Sequence, residues 1–482
     1  MTDTSGASFI NVVSAYGVDN TGSSDTHALL QTAINSISGA GNAVYLPTGT
    51  YDLGNSQIII PDDTIVTCSP AAVLRRSQDI SGPAPYGSYT SAMVSVGNRC
   101  QWSGGVLNNT AVVASSTTQV TIGDGNRTFT VPAGLPWTTS TFLRIWSRAN
   151  PANRYEGQVV SYSGTTLVLS DQFAASGSGT HSDWNITYGG VYQCPMVLHG
   201  VTQSIVEKVR VTGNWYVGLL MDGWNPSSGG SLQTSACAFR DCHTESVQNR
   251  GIYLYGGCSD NLIDGCYVNG GGGVTDYGVN LNPANASGSV NWQLRNKIVG
   301  TTVVGSGFQG IAVGDFSVYT IVDHCAASAL TNPSGIGFLC QAANTGTPQY
   351  NRFSSCVATN CPTAGFYFIG ALYGGAADCL SVVCGRGYAI GPSNSIQSQY
   401  ISLASCEADG CTTGFEVVGS SNRCDLTNIK SIANSGNGVQ IDAGASVTLA
   451  TGRSTANGAN LADNGVSSNV GGLLRKRSFV PI

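Results

Sequence analysis

From about residue 200 onward the chain repeats one short pattern: glycine, apolar, any residue, apolar. The first copy is Gly218-Leu219-Leu220-Met221 and the last is Gly438-Val439-Gln440-Ile441. Between them stand copies opening at Gly251, Gly278, Gly310, Gly337, Gly365, Gly387 and Gly414. Successive glycines are 33, 27, 32, 27, 28, 22, 27 and 24 residues apart. A repeat of this length marks a solenoid. Within each copy the apolar residues sit two apart, which is the period of a strand and not of a helix.

A second motif falls between these copies. Cys242, Cys266, Cys325, Cys356 and Cys406 each lie 8 to 12 residues before the next glycine. Val209 and Thr302 take the same place in two other turns. If each repeat is one coil, these residues stack at one interior level, about 4.8 Å apart. A free cysteine fills such a column as a compact apolar residue. A metal site or a disulfide ladder is the alternative. No Cys-x-x-Cys pair with a matching His pair accompanies them, which argues against zinc. The expected fold is therefore all-β, a right-handed parallel β-helix with apolar stacks inside and flat outer faces.

Composition agrees. The chain has 482 residues, 63 of them glycine, and only 10% are charged. The net charge of −6 argues against a nucleic-acid partner. No apolar run is long enough to span a membrane as a helix. Residues 1–6 lack the basic segment and apolar core of a secretory signal, so none is expected.

Near the N-terminus, Ser24 or Asp25 is placed to cap a helix. Leu29, Ala33 and Ile37 would share one face of it, with Leu30 and Ile34 beside them. Such a helix would cover the open end of a solenoid. Tyr16-Gly17, Asp25-Thr26, Ala28, Gln31, Ala33-Ile34 and Tyr45-Leu46-Pro47-Thr48-Gly49-Thr50-Tyr51 closely resemble the opening motif of the pectate-lyase-like β-helix superfamily. That superfamily includes pectate lyases, polygalacturonases, epimerases and bacteriophage tailspike depolymerases. The resemblance implies the fold strongly and the chemistry weakly.

Residues from about 115 to 187 break the repeat and alternate like antiparallel strands: 120–123, 127–131, 142–145, 157–162 and 166–169. This stretch resembles a small module found in phage tail proteins. The organisation read from sequence is a cap and first coils over 1–113, an inserted β module over 114–190, the main β-helix over 191–465 and a tail over 466–482. The basic run Arg475-Lys476-Arg477 reads as part of a solvated tail.

Cutting a glycosidic bond by hydrolysis needs two carboxyl groups. Elimination at a uronate needs a base and a cation facing the sugar carboxylate. Polar and aromatic residues concentrate between 207 and 324. Asp222, Tyr255, Asn282, Asp315 and Gln341 follow successive glycine units and are expected to form one polar row. Lys208, Arg210, Asp241, His243, Tyr267 and His324 flank the cysteine positions. The candidate catalytic acids are Asp222, Glu245, Asp276 and Asp315. Asp276 follows the glycine run Gly270–Gly273. The candidate substrate contacts are Trp215, Tyr216, Trp224, His243, Tyr253, Tyr255 and Asn282, with Tyr277 and Trp292 as further stacking rings. Glu407, Asp409 and Glu416 read as charges that solvate a face.

The resulting expectation is a tailspike-like depolymerase that hydrolyses a bacterial surface or extracellular polysaccharide. A homotrimer attached to a phage virion, at the virion tail or extracellular, is what the tailspike resemblance implies. No metal site and no cofactor are expected, except Ca²⁺ if the protein is a lyase. The alternatives are a lyase or epimerase of the same fold, and a non-enzymatic glycan-binding adhesin.

Overall fold

A computed structural model describes residues 9–37, 43–77, 91–109, 112–139, 141–150, 153–170, 174–189, 193–213, 215–224, 232–245, 247–270, 276–283, 285–286, 289–290, 292–342, 346–393, 396–463 and 473–475. The loop Gly271–Gly273 and the tail residues Lys476 and Arg477 lie outside the described residues. The chain divides into two units. One holds residues 1–197 and 208–218, the other 198–207 and 219–482.

In the first unit, parallel strands Phe9–Asn11, Ala43–Leu46, Ile65–Cys68 and Gln101–Ser103 pair one after another. A second row runs Thr21–Asp25, Gly49–Asp52, Ala72–Arg75, Val106–Asn108 and Arg210–Thr212. The helix His27–Asn35 buries Leu30, Ala33 and Ile34, and Ile37 is buried just past its end. Leu29, expected on the buried face, is exposed instead. Its neighbour Leu30 faces the core, one residue round the helix. The cap residue is Thr26, and Asp25 accepts the His27 amide at 2.9 Å.

One helix side chain stands in for a strand. The Gln31 amide donates to the Ile59 carbonyl at 2.7 Å and accepts from the Ile59 amide at 2.9 Å. Ile59 lies in the strand Ile58–Ile60, whose other neighbour is Ser91–Val96. Gln31 thus satisfies backbone groups that an unpaired edge would expose.

Between Ala114 and Tyr188 the same unit carries antiparallel strands, among them Arg127–Thr130, Phe142–Ser147, Arg154–Ser163, Thr166–Leu169 and Trp184–Tyr188. They enclose a separate core of Phe129, Leu143, Ile145, Tyr155, Leu167, Leu169, Trp184 and Ile186.

In the second unit the glycine copies are strands of one parallel sheet. Arg250–Gly256, Tyr277–Asn282, Gln309–Val313, Ile336–Gln341, Ala364–Ile369, Arg386–Gly391, Thr413–Val417, Asn437–Ile441 and Ala459–Asp463 follow in order. Ile252, Val279, Ile311, Phe338, Phe366, Tyr388, Phe415 and Val439 stack inward in register. The rings of Phe338, Phe366, Tyr388 and Phe415 lie 4.7, 4.9 and 4.8 Å apart and within 6° of parallel. That spacing is the inter-strand distance itself.

The repeated glycine has a steric cause. A Cβ on Gly278 would fall 2.5 Å from the Gly310 carbonyl oxygen and 2.3 Å from Val303 Cγ1. At Gly337 it would fall 2.7 Å from the Gly365 carbonyl oxygen and 3.0 Å from Ala358 Cβ. The strand pairing steps over these glycines, and only a residue without a side chain fits there.

All sixteen cysteines are buried and free, so no disulfide ladder forms. Cys242 and Cys266 neighbour each other, as do Cys325, Cys356, Cys379 and Cys406 in sequence. Cys379 belongs to the column although sequence spacing did not single it out. Thr302 does not: it pairs in register with Tyr267, which leaves the buried Thr301 beside Cys266. Cys361, Cys384 and Cys411 form a second column. Burial pushes the Cys340 thiol up to about 12. Such thiols are inert as nucleophiles.

Two predictions follow from these packing constraints. Gly337→Ala should lower stability by about 1–3 kcal/mol, read as an earlier midpoint in urea unfolding. Gln31→Ala should cost about 0.5–1.5 kcal/mol and increase concentration-dependent association in light scattering, because it frees a strand edge.

Candidate functional site

The outer face of the second unit's glycine sheet carries a polar centre at its early strands. Arg250 opens its strand one residue before Gly251 and pairs in register with Tyr277. Its guanidinium lies over two rings, 4.3 Å from the Tyr253 centroid and 5.0 Å from that of Tyr277. Arg250 Nε donates to Asn280 Oδ1 at 3.1 Å, and a terminal nitrogen donates to Asn249 Oδ1. Cation–π contact and two amide acceptors hold the charge in one place.

Asp276 stands beside this group, just ahead of Tyr277. Its carbonyl accepts the amides of Phe308 and Gln309 at 2.8 and 3.0 Å. Its carboxylate accepts from Asn249 Nδ2 at 2.9 Å. The residue is half-buried. Burial raises its pKa above the usual carboxylate value, while the Asn249 bond and the Arg250 charge pull the other way. A carboxyl raised by burial and still open to solvent is suited to give up a proton in a reaction.

Tyr253 is buried, so it is a seat for Arg250 and not the sugar platform expected from sequence. Its ring meets Tyr255 at 5.3 Å, and Tyr255 meets Trp224 at 6.4 Å. Tyr255 and Trp224 are partly exposed, and Tyr255 pairs in register with the half-buried Asn282. Glu245 closes the strand His243–Glu245, with His243 Nε2 3.2 Å from its Oε1. The His243 ring meets Tyr267 edge-on at 4.8 Å. Trp292 is exposed and packs edge-on against Phe316 at 5.3 Å.

Two candidate acids are placed differently. Asp222 is 1% exposed. It bonds His199 Nδ1 at 3.1 Å and the Trp224 amide at 2.9 Å. Burial raises its pKa, opposed by His199. It lies four residues past its glycine, at the level of Tyr255 and Asn282. The six residues from Asp276 to Asn282 cover about 20 Å at roughly 3.3 Å per residue. Asp222 and Asp276 therefore sit at opposite ends of the sheet's strands, well beyond the roughly 5–9.5 Å that a glycosidase pair spans. Asp315 is also buried and is not in the expected row: Leu281 pairs with Val313, which sets Gly314 opposite Asn282 and Asp315 one place beyond. The copy at Gly310 reaches its acid in five steps, where Asp222, Tyr255, Asn282 and Gln341 take four.

In the first unit, Trp215 is fully buried, its indole N–H donates to the Thr212 carbonyl at 3.1 Å, and Arg76 lies 5.4 Å over its ring. It has no free face for a sugar. Tyr216 is partly buried beside it, its amide bonded to the Gln193 carbonyl at 3.0 Å.

A second polar centre lies further along the same face. Arg386 Nε stands 2.8 Å from Glu416 Oε2, with its guanidinium 5.7 Å from the Tyr367 centroid. Burial raises Glu416, Arg386 lowers it, and Asp442 raises it further. Glu416 is thus no solvated surface charge, unlike Glu407, which pairs with Lys430 at 3.3 Å in the open. Between the two centres the face carries an apolar cluster of Ala312, Ile336, Leu339 and Ala364, with Tyr277 and Tyr367 packed against it and Gln309 in register between Tyr277 and Ile336. Sequence reading missed Arg250 and Arg386. The signal was present, because these are the two copies in which arginine precedes the glycine. Among the described residues no group of three His, Cys, Asp or Glu side chains is placed to hold a metal ion, and no helix is long and apolar enough to cross a membrane.

Residues 9–147 match the family model described as rhamnogalacturonase A/epimerase, pectate lyase-like. No curated protein matches the chain in sequence. Solved structures do. The catalytic domain of an α-1,3-glucanase in complex with nigerose aligns at 10% identity and TM-score 0.51, over 98% of this chain and 70% of that one. The Dettilon tailspike protein aligns at 12% identity and TM-score 0.48, over 93% of this chain and 66% of the tailspike. The A-module of the Azotobacter vinelandii mannuronan C-5 epimerase aligns at 12% identity and TM-score 0.45, over 96% of this chain and 100% of the module. The likeness to the glucanase domain is one of fold. Stacked coils and in-register parallel strands make the fold a right-handed parallel β-helix, and residues 9–147 of it match a pectate-lyase-like model.

Proposed function

We propose that this protein is a depolymerase that hydrolyses glycosidic bonds in a bacterial surface or extracellular polysaccharide. The observation that carries this reading is the Asp276 carboxyl, raised by burial, fixed by Asn249 and set beside Arg250 on an open sheet face. In this reading Asp276 protonates the departing glycosidic oxygen as general acid. Glu245 is the second carboxyl. It ends the strand four residues before Asn249, and Asn249 is the residue that bonds Asp276. Arg250 orients the sugar through hydroxyl or carboxylate groups, and Trp224 and Tyr255 offer aromatic surface. The five strand steps from Arg250 to Arg386 cover about 24 Å, which suits a polymer better than a small sugar. A place on a virion tail and a homotrimer belong to the same proposal, through the sequence resemblance to tailspikes.

Arg250 also favours a second reading. A fixed cation is what a lyase or epimerase uses to stabilise a uronate carboxylate. Calcium would be the cofactor in that case, and activity would then fall on chelation.

A panel of bacterial polysaccharides should be digested while reducing ends and ultraviolet absorbance are followed together. Hydrolysis releases reducing ends without new absorbance. Rising absorbance sinks hydrolysis in favour of elimination, and a glycan that is bound but never cut leaves an adhesin. Asp276→Asn should lower kcat by about 100- to 10,000-fold. The sign of the pH effect is fixed by its role. A general acid must be protonated, so kcat should fall as pH rises through the raised Asp276 pKa, and Asp276→Asn should erase that limb. Asp222→Asn should leave kcat within a few-fold and cost about 1–3 kcal/mol of stability, seen as a lower Tm.

A further inference from the structure

A different face of the second unit carries a feature that the Asp276 site does not use. Tyr319, Tyr350, Tyr373 and Tyr400 occupy the same turn in four successive coils. Their ring centroids lie 5.0, 5.1 and 4.8 Å apart, tilted by 10–14°. All four have left-handed backbones, with φ of 59°, 55°, 53° and 57°. That conformation favours Gly, Asn or Asp and disfavours a bulky side chain. The amides bond the next coil either way, for instance Tyr350 to the Leu372 carbonyl at 3.0 Å. The turn therefore does not need tyrosine. The side chains stay partly exposed, Tyr319 at 53% and Tyr373 at 43%.

Tyr350, Tyr373 and Tyr400 of this ladder wall a groove of about 650 Å³, within the roughly 300–1,000 Å³ typical of ligand sites. Gly375, Ala377 and Ala404 floor it, so the trough is deep where side chains are small. Gly375 stands in register between Arg352 and Ser402, and Ala377 between Ser354 and Ala404. Those polar residues also line the groove. Because the rings stack on each other, they present edges and not faces to a ligand. Arg423 closes the row, bonding the Tyr400 hydroxyl with its guanidinium 5.3 Å from the ring.

We propose that this groove is a second glycan-binding site, which holds an extended polysaccharide running from coil to coil along the tyrosine ladder. An extended chain of pyranose units advances by about one coil spacing per sugar. The hydroxyl row then meets sugar hydroxyls in step, and the Gly and Ala floor meets their C–H faces. Tyrosine supplies this contact at low cost in side-chain entropy. A second protein chain fits worse, since a stable interface buries on the order of 1,200–2,000 Å² and not one trough. The ligand class rests on the polysaccharide reading above, but the site is independent of Asp276.

The test uses the full chain in affinity gels cast with alginate, dextran, or capsular and O-antigen polysaccharides. The double variant Tyr350→Asn, Tyr373→Asn puts a residue that the turn favours in each place, so the fold is retained. At least one gel should retard the parent protein, and the double variant should lose retention at least tenfold there. Ala377→Trp, which fills the trough, should do the same. Cleavage of short oligosaccharides should be unchanged in both. Retention unchanged in the variants, or no gel retarding the parent, overturns the proposal. Loss of self-association in sedimentation with glycan retention intact also overturns it, and assigns the ladder to a contact between copies. Asp276→Asn separates the two ideas: it should abolish cleavage and keep ladder-dependent retention. If no glycan is cut but the ladder variants still lose binding, the depolymerase reading fails and this one stands.

Discussion

The hydrogen-bonded step between one coil and the next is the constraint on which everything else depends. Parallel strands pair residue for residue at one fixed spacing, so whatever stands at one position meets its equivalent above and below. Phe338, Phe366, Tyr388 and Phe415 must therefore stack face to face, and they do so within 6°. The same step forbids a Cβ at Gly278 and Gly337, where the next coil's carbonyl already lies. It also explains the cysteines. A column that must hold a small apolar residue at every level accepts Cys325, Cys356, Cys379 and Cys406, and their thiols are kept from reacting by burial and by one another.

That regularity is why the fold was legible in the sequence. The glycine copies, the period-two apolar residues and the cysteine spacing each reflect a constraint that acts on every coil. The misplacements are all of one residue. Leu29 was set inward where Leu30 is, Thr302 was set in a column that Thr301 occupies, and Asp315 was counted into a row that it overshoots. In each case the composition was compatible with both frames; the helix's packing decided for Leu30, and the strand pairing register decided for Thr301 and Asp315. A one-residue slip moves a side chain to the other face of a strand.

The candidate site was legible in part. Asp276, Glu245, Tyr255, Trp224 and Asn282 were named from the crowding of polar and aromatic residues, which is a signal about region and not about geometry. Arg250 was passed over because an arginine at the edge of a strand looks like any solvated charge. What distinguishes it is its seat between Tyr253 and Tyr277. Trp215 and Tyr253 show the reverse error. An aromatic residue carries the same weight in a sequence whether its face is open or covered, and both of these are covered.

Charge is scarce in this chain, at 10% of residues, so the half-buried and buried carboxylates need a reason. Asp222, Asp276 and Glu416 are each raised by burial, and each has a basic side chain close by. Stability does not supply the reason, because a buried ion pair can often be replaced by apolar residues at no loss. Openness separates the three. Asp222 is closed over and tied to His199 and the Trp224 amide, which is the arrangement of a structural pair. Glu416 is locked to Arg386. Asp276 takes its hydrogen bond from the Asn249 side-chain amide and remains half-open. A proton held there is available to whatever lies on the face, and that availability, more than the acid's burial, is what makes Asp276 the acid to follow.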